Sequence, residues 1–284
     1  MGSVESIDFV YDIVCPHAYL ASQRVQAAGA RLSMKVRFRP VLLGGMLRSI
    51  GAAVDPNAAM APARVALLRK DLRHRAARAQ PPLSVSIEHP RRTVEAMRLC
   101  VAASRQARPD ITHALFRAHW EQGRDVSDLR VLGDIASAHG VDIAMLHAPA
   151  TKMGLREATQ WAVDRGAFGV PTFVVGSRLW WGEDRIELMV EALGGSAVLD
   201  RRGDDCGSSQ RRAQRRRVEF FHDFASPFAY LASGAVDGVA ARYGVTVRWR
   251  PILVGALFRT IGTADVPLLA MPAAKQAYLR QDLS

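Results

Sequence analysis

The residues best placed to do chemistry lie in the run Asp12-Ile13-Val14-Cys15-Pro16-His17-Ala18-Tyr19. An alternating apolar stretch ends there, and Pro16 suits the first turn of a following helix, where its missing N–H costs nothing. Cys15 therefore sits where unpaired backbone N–H groups and the helix dipole favour an anion. That setting is expected to lower the thiol pKa and make the sulfur nucleophilic near neutral pH. His17 can add positive charge when protonated. The alternative fate of a free cysteine is burial as a small apolar residue.

Other groups are weaker candidates. Of the three cysteines none forms a Cys-x-x-Cys pair or a Cys/His cluster of ligand spacing, so neither a disulfide framework nor a metal site is expected. Cys100 shares a helical face with Val94, Met97 and Val101, the pattern of a core residue. Cys206 lies in a polar stretch with nothing to support it. His113, His119, His139 and His147 are scattered among helices without a carboxylate at ligand spacing. Gly44-Gly45 and Gly194-Gly195 read as turn glycines, since neither opens a helix in a nucleotide-binding fingerprint.

The elements that must hold Cys15 occur twice. Residues 7–72 align without a gap to 218–283, with 30 identities in 66 positions. The matches include Asp12 with Asp223, the Ala-Tyr-Leu-Ala-Ser runs at 18–22 and 229–233, and Asp71-Leu72 with Asp282-Leu283. Ser226 replaces Cys15 in the second copy. The expected organisation is a complete unit over 1–195, a basic flexible linker over 196–217, and an incomplete second copy over 218–284 that should not close a core of its own. Segment 201–217 carries seven arginines and two aspartates among few apolar residues, as a self-repelling tether would.

Within the first copy Ile7–Ile13 alternates as a strand. A helix follows Pro16, and Met34–Leu42 supplies a second strand with Val36, Phe38 and Pro40 on one side and Arg37 and Arg39 on the other, giving a βαβ unit. From 61 to 165 the period is helical: Ala63–Arg78, Arg91–Gln106, Ile111–Glu121, Ser127–His139 and Gly154–Asp164. Thr172–Gly176 and Arg178–Trp181 read as short strands around Gly176-Ser177, and Glu183–Leu193 as an amphipathic closing helix. The expected class is α/β: βαβ, an inserted all-helical subdomain, ββα, then a partial second βαβ repeat.

These residues carry a resemblance. Asp12-x-x-Cys15-Pro16-x-Ala18-Tyr19-Leu20-Ala21, Arg91-Arg92, Phe116-x-x-x-Trp120, Gly169-Val170-Pro171-Thr172-Phe173 and Trp180-Trp181-Gly182-Glu183-Asp184-Arg185 follow one another across residues 7–193. In that order they resemble the family of 2-hydroxychromene-2-carboxylate isomerases and kappa-class glutathione transferases. The resemblance implies a thioredoxin-like fold with a helical insertion, related to the periplasmic disulfide oxidases, and glutathione as cofactor. It places Cys15, and Ser226 in the second copy, where the family has a serine that activates the glutathione thiol. Val170-Pro171 falls on a cis Val-Pro step that offers backbone hydrogen bonds to the cysteinyl group, and Asp184 on the acid that holds the γ-glutamyl end. A lysine that meets the glutathione carboxylate corresponds to Arg64 in the first copy and Lys275 in the second. Asn57 lies within a position or so of a family asparagine. Glu183 replaces a small polar residue, adding negative charge at the cofactor site. Arg91, Arg92 and His17 are candidates to face a substrate carboxylate.

The functional expectation is glutathione-dependent cis/trans isomerisation of an aromatic 2-oxo acid by reversible thiol addition, or a related glutathione transfer. A monothiol–disulfide oxidoreductase using Cys15 is an alternative. Cys-Pro-His resembles the disulfide-oxidase motif, yet Ala18 stands at its second cysteine, so an external thiol would have to release any mixed disulfide. A non-catalytic binding module is the third reading. No apolar run approaches the ~18 residues of a membrane span. The stretch Met1–Asp8 has acid where a secretory signal carries Lys or Arg, so a cytoplasmic location without a membrane partner is expected. The net charge is +11, but +5 of it lies in 201–217 and no aromatic interleaving accompanies it, so nucleic acid is not an expected partner. The expected partners are a small aromatic substrate and, as in the family, a second copy in a homodimer.

Overall fold

Apolar alternation at the start of the chain becomes β1 (Ser6–Tyr11), and β2 (Lys35–Pro40) pairs with it in parallel, Phe9 opposite Phe38. The crossover is α1 (Pro16–Arg31). Later in the chain β3 (Thr172–Val175) adds antiparallel to the free edge of β1, and β4 (Arg178–Trp181) completes the order β2-β1-β3-β4. This computed structural model describes residues 6–55, 60–78, 83, 91–196, 217–264 and 266–283; Asn57 and Cys206 lie outside the described residues.

One face of the sheet is aromatic. Phe9 stacks on Phe173 with ring centres 5.7 Å apart and meets Phe38 edge-on at 5.3 Å, geometries that add about 0.5–1.5 kcal/mol per pair beyond simple burial. The other face carries buried Asp8, whose Oδ1 accepts from Arg37 at 2.9 Å and Arg39 at 2.8 Å. The two-sided reading of β2 is thereby explained: its arginines neutralise a carboxylate that burial would otherwise penalise.

Between β2 and β3 run α2 (Leu43–Ser49), α3 (Pro62–Arg78), α4 (Val94–Ala102), α5 (Arg108–Phe116), α6 (Leu129–Ala138) and α7 (Pro149–Asp164), and α8 (Ile186–Ala192) closes the unit. The order is the expected one: βαβ, inserted helices, ββα. Element bounds shift by a few residues, as where the helix expected over Arg91–Gln106 spans Val94–Ala102, and two further differences from the sequence reading bear on the site. Gly44 and Gly45 are not turn glycines but lie in α2. Its first N–H groups find tertiary acceptors, Thr159 Oγ1 for Leu42 at 3.0 Å and Asp12 Oδ2 for Leu43 at 2.9 Å. The segment expected as one helix over Ile111–Glu121 ends in a π turn at Arg117–Glu121. From that turn Trp120 Nε1 donates to the Ile13 carbonyl at 2.8 Å, and Glu121 accepts from the Tyr19 hydroxyl at 2.8 Å.

In the second repeat β5 (Arg217–His222) and β6 (Thr246–Pro251) form a separate parallel pair, with α9 (Pro227–Ser233), α10 (Val236–Arg242), α11 (Val254–Thr260) and α12 (Ala273–Asp282). Phe220 faces Trp249 as Phe9 faces Phe38. The local fold is repeated, but its cover is not. Ile13 and Tyr19 are 0% exposed, whereas their counterparts Phe224 and Tyr230 are 100% and 78% exposed. Among the described residues no strand pairs with the outer edge of β5 as β3 does with β1.

α12 departs from this pattern by docking on the first unit. Tyr278 is buried there, its hydroxyl accepting from the Trp181 main-chain N–H at 3.1 Å, and Arg185 donates to both oxygens of Asp282 at 3.0 and 2.9 Å. Arg185 holds the Asp282 carboxyl below its usual range. A depressed folded pKa contributes stability above the ordinary aspartate value of about 3.9, lost as pH falls toward the folded one. Asp282→Asn is expected to speed amide exchange in α12 about fivefold near pH 7, the effect of roughly 1 kcal/mol for a partly screened bidentate pair. The ratio should shrink below pH 4; a pH-independent ratio in hydrogen-exchange mass spectrometry would refute the linkage. No helix among the described residues is long and apolar enough to cross a membrane.

Candidate functional site

The site begins with Asp12, at the end of β1. It is buried, and its carboxylate accepts from Val14 N at 3.1 Å, Leu43 N at 2.9 Å and Thr93 Oγ1 at 2.7 Å. One side chain thus fixes the β1–α1 loop, the start of α2 and the start of α4. Burial pushes its carboxyl above the usual range, against the pull of these bonds. Trp120 at the Ile13 carbonyl and the Met97 sulfur, 3.5 Å from Ile13 N, complete the setting of the loop.

Cys15 is the N-cap residue of α1, with φ −96° and ψ 115°. Its thiol donates to the Val170 carbonyl at 3.3 Å, and the Val170-Pro171 bond is cis. Two residues 155 apart in sequence are therefore in contact, as the resemblance implied. The Pro171 carbonyl is taken by Gly182 N at 2.9 Å, while the Val170 N–H has no partner among the described residues. Gly169 and Gly182 are required here. A Cβ on Gly169 would lie 2.9 Å from Trp181 Nε1, and Gly182 has φ +106°, a region that favours glycine.

The expected thiol pKa is corrected by the structure. Burial pushes Cys15 up to about 12, outweighing the N–H groups of Ala18 and His17 that draw it down, with Asp12 and Glu183 adding negative field. Cys15 is a protonated donor at neutral pH. His17 is corrected likewise: burial lowers its pKa, so at neutral pH it is uncharged amid Glu183, Arg75, Asp71 and Asp184.

Glu183 does not present free negative charge to a ligand. It is 6% exposed and paired with Arg75 at 2.5 Å and Arg24 at 3.5 Å, which ties the 183–185 turn to α3 and α1. Asp184 stays about half-exposed beside Arg185 at 2.7 Å. Arg64 is exposed on α3. Arg91 pairs with Asp125 at 3.1 Å and Arg92 with Glu95 at 2.8 Å, so both already hold carboxylates; it is Thr93, two residues after Arg91, that reaches the site loop. Ser226, in the second repeat, caps α9 by accepting from Ala229 N at 3.2 Å. Asp12, Thr93 and Trp120 were not singled out for the site by sequence. Asp12 had a signal in its recurrence as Asp223, and Trp120 in the Phe116-x-x-x-Trp120 segment; Thr93 had none.

A family model described as a DSBA-like thioredoxin domain matches residues 6–194 and 217–284. The 2-hydroxychromene-2-carboxylate isomerase of Sphingobium xenophagum is 26% identical over 193 residues, spanning 66% of this chain and 98% of that protein. Glutathione S-transferase kappa 1 of Rattus norvegicus is 26% identical over 208 residues, spanning 66% and 90%. The solved structure of a 2-hydroxychromene-2-carboxylate isomerase superimposes with a TM-score of 0.60 at 23% identity, covering 66% of this chain and 94% of that one.

Proposed function

Because the chain belongs to the DSBA-like thioredoxin domain family, we propose that its first unit, over 1–195, is a glutathione-dependent isomerase of the 2-hydroxychromene-2-carboxylate type or a closely related glutathione transferase. The observation that carries this reading is the contact of the Cys15 thiol with the main chain at Val170-Pro171, beside an N–H that no group among the described residues uses. The residues present fit the tripeptide. An extended peptide wants a main-chain donor, which Val170 N–H offers; its ammonium wants a carboxylate, which Asp184 offers; its terminal carboxylate wants a cation, which Arg64 offers. Glutathione, when bound, supplies a thiol that adds to a conjugated double bond and is expelled after rotation about the resulting single bond.

Cys15 then acts through its proton. A thiol that stays protonated turns from the Val170 carbonyl to the cofactor sulfur, stabilising that sulfur as a thiolate, which is the task of a serine hydroxyl at this position in the resembled family. The same property weighs against a monothiol–disulfide oxidoreductase, whose attacking sulfur must itself be a thiolate. Cys15→Ser is expected to keep isomerase activity on 2-hydroxychromene-2-carboxylate with glutathione, and Cys15→Ala to lower kcat/KM about 10²-fold through the lost donor. Abolition of activity in Cys15→Ser, with the fold intact by circular dichroism, would show that the sulfur itself reacts. A full chain that fails to bind glutathione in titration calorimetry would leave the binding-module reading.

A further inference from the structure

Lys275 belongs to the second repeat but lies against the first unit. Its Nζ is 5.0 Å from the ring centre of Trp181 and 6.0 Å from that of Phe168. Three residues on, Tyr278 meets the same Trp181 edge-on at 6.3 Å and accepts its main-chain N–H. Residues three apart share a helix face, so α12 presents an ammonium and a phenol side by side to one aromatic pair. Phe168 and Trp181 flank Gly169, and the next residue is Val170, the acceptor for Cys15. A continuous line of contacts therefore runs from Lys275 through Trp181 and Gly169 to the thiol. Trp181 Nε1–H is enclosed and has no acceptor among the described residues.

Lys275 and Arg64 occupy the same position of the two copies, 211 residues apart. Among the described residues neither has a carboxylate within ion-pair distance. Burial and, after it, the charge of Arg64 push the Lys275 ammonium below its usual range. Two cations that repel each other, with no carboxylate partner among the described residues, are stabilised by a shared anion. The equivalent face of α3 is not used in this way: Leu67, the counterpart of Tyr278, is 65% exposed.

Resting on the glutathione reading, we infer that Lys275 of the second repeat is a binding residue of the first unit's cleft, joining Arg64 to hold the tripeptide carboxylate remote from Asp184. α12 is then one wall of that cleft.

Titration calorimetry on the full chain tests this with glutathione and with its glycinamide analogue, which lacks that carboxylate. Lys275→Gln is expected to weaken glutathione binding about tenfold while leaving the analogue within about twofold of wild type, and Lys275→Arg to retain most of the affinity. Equal losses for both ligands would mean that Lys275 merely holds α12 in place, and would overturn the inference. So would Lys275→Gln binding glutathione as tightly as a wild-type chain that does bind it. A wild-type chain that binds neither ligand sinks the glutathione reading and this inference together.

Discussion

Asp12→Ala is expected to destabilise the first unit by about 3–5 kcal/mol, because three buried donors lose their acceptor at once. Val14 N, Leu43 N and Thr93 Oγ1 belong to three different elements, so the loss also unfastens the loop that carries Cys15 from α2 and α4. The molecule contains its own control. Asp223 accepts from Ala225 N at 2.9 Å and Val254 N at 2.7 Å, the repeat-equivalent bonds, in a partly exposed setting. Asp223→Ala should leave the main denaturant transition unmoved. The two carboxyls also titrate oppositely: burial raises Asp12, while hydrogen bonds from Ala225 and Val254 lower Asp223. A raised folded pKa contributes stability that is complete below the ordinary value of about 3.9 and lost as pH rises through the folded value. The deficit of Asp12→Ala should therefore grow on acidification. Urea unfolding at two pH values measures it, and equal effects of the two substitutions would refute the account.

Cys15 is expected to react with iodoacetamide about a thousandfold more slowly at pH 7 than a thiol of ordinary pKa 9, since the folded value near 12 leaves that much less thiolate. Rate against pH should keep rising past pH 10, where a lowered pKa would give a plateau. Cys100, likewise buried and raised to about 11, gives no rapid background. Alkylation of Cys15 with a plateau below pH 8 would restore the nucleophile reading and with it the oxidoreductase.

Much of the fold was legible because it is written in short-range patterns. Alternation over Ile7–Ile13 and the paired arginines of β2 show which residues share a strand face, and the period from 61 to 165 marks helices, although β1 is buried on both faces. The facing of Cys15 and Val170 was legible only through the ordered motifs of the resemblance. What escaped depends on groups distant in sequence. α2 is held by Asp12 and Thr159, which no local rule connects to Gly44-Gly45. Glu183 looked like a free charge because Arg24 and Arg75 lie in helices over a hundred residues away. The sign of the Cys15 shift was missed because a helix N-terminus can be read from sequence, whereas the desolvation that overrides it cannot. Arg91 and Arg92 were noticed for their charge, yet the neutral Thr93 makes the contact that matters.

The docking of α12 bears on how this chain can change over generations. Lys275, Tyr278 and Asp282 meet Phe168, Trp181 and Arg185, so substitutions at these six positions are expected to accompany one another across the two copies. Ancestry would then be recorded in β5, α9 and β6, and present use in the ten residues of α12.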